Sequence, residues 1–187
     1  MSKQMTIRDI AGFCPEEAIW KMIADVSGCL TSGGHEKALS PDSVMIDGSS
    51  FMISHCQGEV GEFLAPEHKK GQTADEKELV WVLGAIAYYA ATGHIVFGGH
   101  GGSYQKDHPS VSLPVLPKGL QTLTPVLQKC LCLMPDERIG LQGLHELAQR
   151  GLSECSKQMR KKASPTNKDE KKVKYTGEKW PEEMIEV

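Results

Sequence analysis

From Leu79 to Ala91 the chain is apolar on nearly every face of a helix: Leu79, Val80, Trp81, Val82, Leu83, Ala85, Ile86 and Tyr88 leave no polar stripe. A helix of this kind has no side to turn to water, so other elements must enclose it. The stretch is shorter than the roughly 20 residues a bilayer-spanning helix needs. The enclosing medium is therefore protein, and this helix belongs at the centre of a core. Thr73 and Glu76 have the spacing of a capping box at its start, and Gly93 ends it.

The remaining segments supply the enclosure. Thr6 to Ile10 reads as a short helix. Cys14-Pro15-Glu16-Glu17 opens a longer one, since Pro is tolerated in a first turn and acids favour the positive end. Ala18, Ile19, Met22, Ile23, Val26, Cys29 and Leu30 follow at helical spacing as one apolar stripe, stopped by Gly33-Gly34. Ser43 to Ile46 and Phe51 to Ile53 are strand-like, and Asp47-Gly48 is the expected hairpin turn. Gly58, Gly61, Pro66 and Gly71 mark a loop. Gly98 to Gly102 predicts a flexible loop, continued irregularly through Pro109, Pro114 and Pro117. Leu120 to Leu131 predicts a helix, broken at Pro135-Asp136. Leu141, Leu144, Leu147, Ala148 and Leu152 mark the last one. The expectation is a mainly α fold with one small β-hairpin.

Charge divides the chain. Residues 1–155 carry 12 Lys/Arg and 18 Asp/Glu, a balance of -6; residues 156–187 carry 9 and 6, a balance of +3, which sums to the net -3. This predicts a folded domain over 1–155 and a basic, unstructured tail over 156–187. Within the tail, Tyr175 and Trp180, with Met184 and Ile185, are apolar anchors: either a short motif for a partner or an end that folds back on the body. The net charge gives no sign of nucleic-acid binding. The six cysteines form no C-x-x-C pair, and Met1 to Gly12 lacks the apolar run of a signal peptide. Reduced thiols, no membrane association and a cytoplasmic location are expected.

Four motifs in order carry a family resemblance over about Thr6 to Leu152. They are Ala65-Pro66-Glu67; Leu79-Val80-Trp81-Val82-Leu83-Gly84; Ala91-Thr92-Gly93-His94 through Phe97; and Cys130-Leu131 through Met134-Pro135-Asp136-Glu137-Arg138. Together they resemble the C-terminal lobe of protein kinases. The resemblance implies a kinase-like C-lobe helical bundle with its N-lobe absent, and an ion pair between Glu67 and Arg138. Thr6 to Ile10, Glu16 to Trp20 and the turn Ser40-Pro41-Asp42-Ser43 are also similar to the kinase non-catalytic C-lobe domain, a docking module of scaffold proteins.

Kinase chemistry requires an Asp facing the substrate hydroxyl, an Asn and an Asp for magnesium, and a phosphate-binding Lys. By the resemblance, the catalytic Asp falls on Ala38, the loop Lys on Ser40, the metal-binding Asn on Ser43 and the metal-binding Asp on His55. The Asp that braces the catalytic loop falls on Leu79. None of these can perform the missing role, and His is a poor magnesium ligand. The expectation is a non-catalytic, pseudokinase-like interaction or scaffold module. It would bind no cofactor or metal, and would take a protein or peptide partner that the acidic body favours being basic. Two alternatives stand beside it: a regulatory subunit completed by a partner chain, and a Cys/His enzyme or a zinc protein built on residues such as His55-Cys56 or on His94, His100 and His108.

Overall fold

The apolar helix is the axis of the molecule. A computed structural model describes residues 4–33, 39–54 and 61–163. It is mainly helical with a two-stranded antiparallel sheet. The elements are α1 (Ile7–Ile10), α2 (Glu16–Thr31), β1 (Val44–Asp47), β2 (Ser50–Ile53), α3 (Glu76–Thr92), α4 (Gly101–Asp107), α5 (Thr124–Cys130) and α6 (Leu141–Ala163). Helix α3 buries thirteen of its 17 residues, and Trp81, Leu83 and Ile86 are wholly inaccessible. It touches α1, α2, α5 and α6, as a helix without a polar stripe must. Its cap differs from expectation: Asp75, not Thr73, accepts from the Glu78 N–H at 2.9 Å, and Glu78 reaches back to the Asp75 N–H at 3.2 Å. A carboxylate suits the positive helix end better than a hydroxyl. The later start also leaves Glu76 in the first turn, where it accepts the Leu141 N–H at 2.9 Å and so caps α6.

Helices α2 and α6 pack antiparallel. Gly28 lies against the His145 ring, Gly151 against the Trp20 indole, and the Ser156 hydroxyl donates to Glu17 at 3.0 Å. A glycine at each crossing lets the partner's ring sit against the backbone. Helix α2 buries Ile19, Met22, Ile23, Val26 and Leu30, but Cys29 is exposed. The inward face at its end runs through Ser27 instead, whose buried hydroxyl donates to the Ile23 carbonyl at 2.5 Å. Once paired, that polar group is tolerated inside. Helix α6 continues past Cys155 to Ala163, through Gln158, Met159, Arg160 and Lys161, all good helix formers.

The hairpin pairs Val44 with Ile53 and Asp47 with Ser50, so its two-residue loop is Gly48-Ser49, one position later than expected. Gly48 has φ +59° and Ser49 does not share the positive sign, the pattern of a type II′ turn. The Phe51 N–H donates to Asp25 at 3.0 Å, which fastens the hairpin to α2. None of the described helices is long and apolar enough to cross a membrane.

The glycine cluster is a second departure. Gly101 and Gly102 are not a flexible loop; they are buried and begin α4, against the backbone of residues 62–66. A Cβ on Gly102 would fall 2.7 Å from both the Ala65 carbonyl carbon and the Pro66 nitrogen. The facing atoms are backbone and cannot rotate away. Gly102→Ala is expected to destabilise the fold by about 1–3 kcal/mol, the range for overpacking. Thermal melting checks this.

Candidate functional site

The turn Ser40-Pro41-Asp42-Ser43 closes on itself. The Ser40 N–H donates to Ser43 Oγ at 2.9 Å, and that hydroxyl donates to the Ser40 carbonyl at 3.0 Å. The Ser43 N–H donates to Ser40 Oγ at 3.2 Å. Both serines are buried, and the Ser43 carbonyl takes the Ser54 N–H at 2.8 Å. Outside the turn, Arg8 Nε donates to both Asp42 oxygens at 2.7 and 2.8 Å, while its guanidinium lies 6.0 Å from the Tyr89 ring centre. Asp42 is thereby occupied by α1. Ser43 has no group pointing to solvent with which to hold a metal, and Leu79 is a buried apolar residue of α3. Ala38 and His55 lie outside the described residues, as do Tyr175 and Trp180.

Glu67 and Arg138 meet. Arg138 Nη1 and Nη2 each donate to one Glu67 oxygen, the second at 2.7 Å. Arg138 also donates to the carbonyls of Cys132 at 2.7 Å, Leu133 at 2.9 Å and Lys77 at 3.1 Å. All five guanidinium N–H donors are therefore matched. Its side chain is fully buried, that of Glu67 only partly. Lys77 Nζ returns a bond to the Arg138 carbonyl at 2.6 Å. Removing either partner leaves a charge in a site built for two, a loss of about 3–5 kcal/mol. Arg138→Ala should cost more than Glu67→Ala, because three carbonyls lose their donor as well. Chemical denaturation of both variants and the double variant checks the order. Equal, small losses would contradict the hub.

Among the described cysteines, Cys14, Cys130 and Cys155 are buried in the core and Cys29 is exposed. Burial pushes the Cys14 thiol up to about 11 and the Cys130 thiol up to about 12. Burial also raises Cys132, aided by the Glu137 charge. Thiols held so high supply almost no thiolate near neutrality. His94, His100 and His108 do not converge on a zinc site: Tyr104 stands between the latter two in a stack, with ring centres 6.1 and 4.0 Å apart. Among the described residues no group of three or more His, Cys, Asp or Glu is arranged to hold a metal ion. Cys56 lies outside those residues. Alkylation of the native protein at pH 8 should label exposed Cys29 quickly, and Cys14 and Cys130 only after denaturation. Mass spectrometry of the labelled peptides reads this out.

One surface feature escaped the sequence patterns. A recess of about 690 Å³ is lined by Tyr88, Tyr89, Ile95, Pro114 and His94. Phe13, 90% exposed, follows Gly12, which packs on Gly93 at its edge; Val115, 88% exposed, follows Pro114 in its wall. The only sequence signal was an aromatic in the short link between α1 and α2, and helical periodicity says nothing about links. No protein-family model matches the chain, and no curated protein matches it.

Proposed function

We propose that this chain is a kinase-like C-lobe without phosphoryl-transfer chemistry, serving as a docking module for another protein. The observation that carries the reading is the recess lined by Tyr88, Tyr89, Ile95 and Pro114, with Phe13 and Val115 exposed on residues next in sequence to its edge and wall. Two large apolar side chains left almost fully in water beside an aromatic-walled hollow mark a surface suited to a partner. The partner is a protein segment with an apolar anchor for the recess. The excess of acids over residues 1–155 favours cationic flanks on that segment.

The kinase-like part rests on the four ordered motifs and on the Glu67–Arg138 pair, the link that the resemblance implied. The non-catalytic part rests on Ser40 and Ser43, which close a buried turn on themselves instead of presenting groups to a phosphate or metal. A regulatory subunit completed by a partner chain would still need a nucleotide site.

Two measurements test the reading. The Phe13→Asp, Val115→Asp double variant should keep its melting temperature, since exposed substitutions usually change stability by less than about 0.5 kcal/mol. It should also lose the partners that co-purify with the wild type, and those partners should weaken with salt. Undiminished partner binding by the double variant would sink the docking surface. Mg-ATP should leave the melting temperature unmoved; a rise of about 3 °C or more, as expected for a ligand well above its Kd, would return the chain to the nucleotide-binding class.

A further inference from the structure

A second concavity, of about 280 Å³, lies between α2, α5 and α6, well apart in its lining from the Tyr88–Tyr89 recess. Its floor is apolar: the buried Trp20, with Val126 and Leu147. Lys129 and Arg150 stand on its rim, both exposed, and among the described residues neither has an ion-pair partner. Of the groove's acids, Glu16 accepts from the Trp20 indole at 3.2 Å and from the Thr122 hydroxyl, while Glu154 is exposed. Helix α6 overshoots the start of α2, because Ser156 already lies against Glu17. Met159, four residues beyond Cys155 on the same helical face, is 45% exposed there.

We propose that this groove seats the chain's own segment 178–185, with Trp180 as the anchor on the Trp20 floor and Glu182 and Glu183 on Lys129 and Arg150. Three observations point to this occupant. The segment reads Glu178-Lys179-Trp180-Pro181-Glu182-Glu183-Met184-Ile185, an aromatic followed by two acids, where the groove offers an apolar floor and two cations. Lys179 would face Glu154 in the same arrangement. Reach is ample. Gln158 lines the groove only five residues before the helix end at Ala163, about 8 Å along the helix. Trp180 lies 17 positions beyond Ala163, up to about 55 Å of extended chain. The helix end is also where Met159 is left uncovered. The seat involves the acidic, aromatic end of the tail, not its basic stretch from Lys157 to Lys174. It is independent of the Phe13 recess, so either reading can fail without the other.

Hydrogen exchange on the full chain tests it. Tethering gives an effective concentration in the millimolar range, so a motif of ordinary weak affinity should protect residues 178–185 about tenfold. Trp180→Ala and Lys129→Glu/Arg150→Glu should each abolish that protection without altering α3. Adding Glu182→Lys/Glu183→Lys to the groove variant should restore it. Exchange of 178–185 at the free-chain rate in the wild type would overturn the proposal, as would failure of the charge swap. Protection that grows with protein concentration, alongside a dimer in light scattering, would assign the groove to a second copy and equally overturn it.

Discussion

The guanidinium of Arg138 is the point on which the other contacts depend. Its five donors are shared among Glu67, in the loop before α3; Lys77, in the first turn of α3; and Cys132 and Leu133, which follow α5. Two stretches distant in sequence, 67–77 and 132–138, thus meet at one planar cation. Its immediate surroundings extend the arrangement. Lys77 binds the Arg138 carbonyl, and Glu76 beside it caps α6 three residues later. Glu78 in the same turn caps α3 itself and meets His68 at 3.4 Å. The start of the core helix, the start of the last helix and the loop ending at Glu67 are positioned by one cluster. Lys could not replace Arg138, because an ammonium has three donors and no planar fork.

The same economy of hydrogen bonds bears on function. The Ser40 and Ser43 side chains are bonded within their own turn, the Ser43 carbonyl takes Ser54, and Asp42 is held by Arg8 of α1. The thiols of Cys14 and Cys130 are held protonated by burial. Among the described residues, Phe13, Val115 and Met159 are apolar side chains left exposed. Exposed apolar area favours association.

Helix periodicity was legible wherever an element's face points to one neighbour. The stripe of α2, the start of the helices near Leu120 and Leu141, and the hairpin stand within a few residues of where the pattern put them, but α6 runs on to Ala163, eight residues into the stretch expected to be unstructured. It failed where another element imposed the geometry. Cys29 belongs to the stripe by spacing, yet Ser27 takes the inward position by bonding its own helix. Gly101 and Gly102 read as loop residues, but their missing side chains admit the backbone of residues 62–66. Thr73 and Asp75 both have capping-box spacing, and the choice fell to the one that leaves Glu76 free for α6.

By itself the sequence determined that α3 must be central, because a helix apolar on every face has only one environment available to it. The resemblance carried by its ordered motifs also made Glu67 and Arg138 a pair worth seeking. The tertiary structure decided the rest: that α3 is enclosed by α1, α2, α5 and α6, that Arg138 reaches three carbonyls besides its carboxylate, and that Pro114 joins Tyr88 and Tyr89 in the wall of one recess. The reason is common to all three. Burial and pairing are properties of groups brought together from far along the chain, and local periodicity carries no information about which distant groups those are.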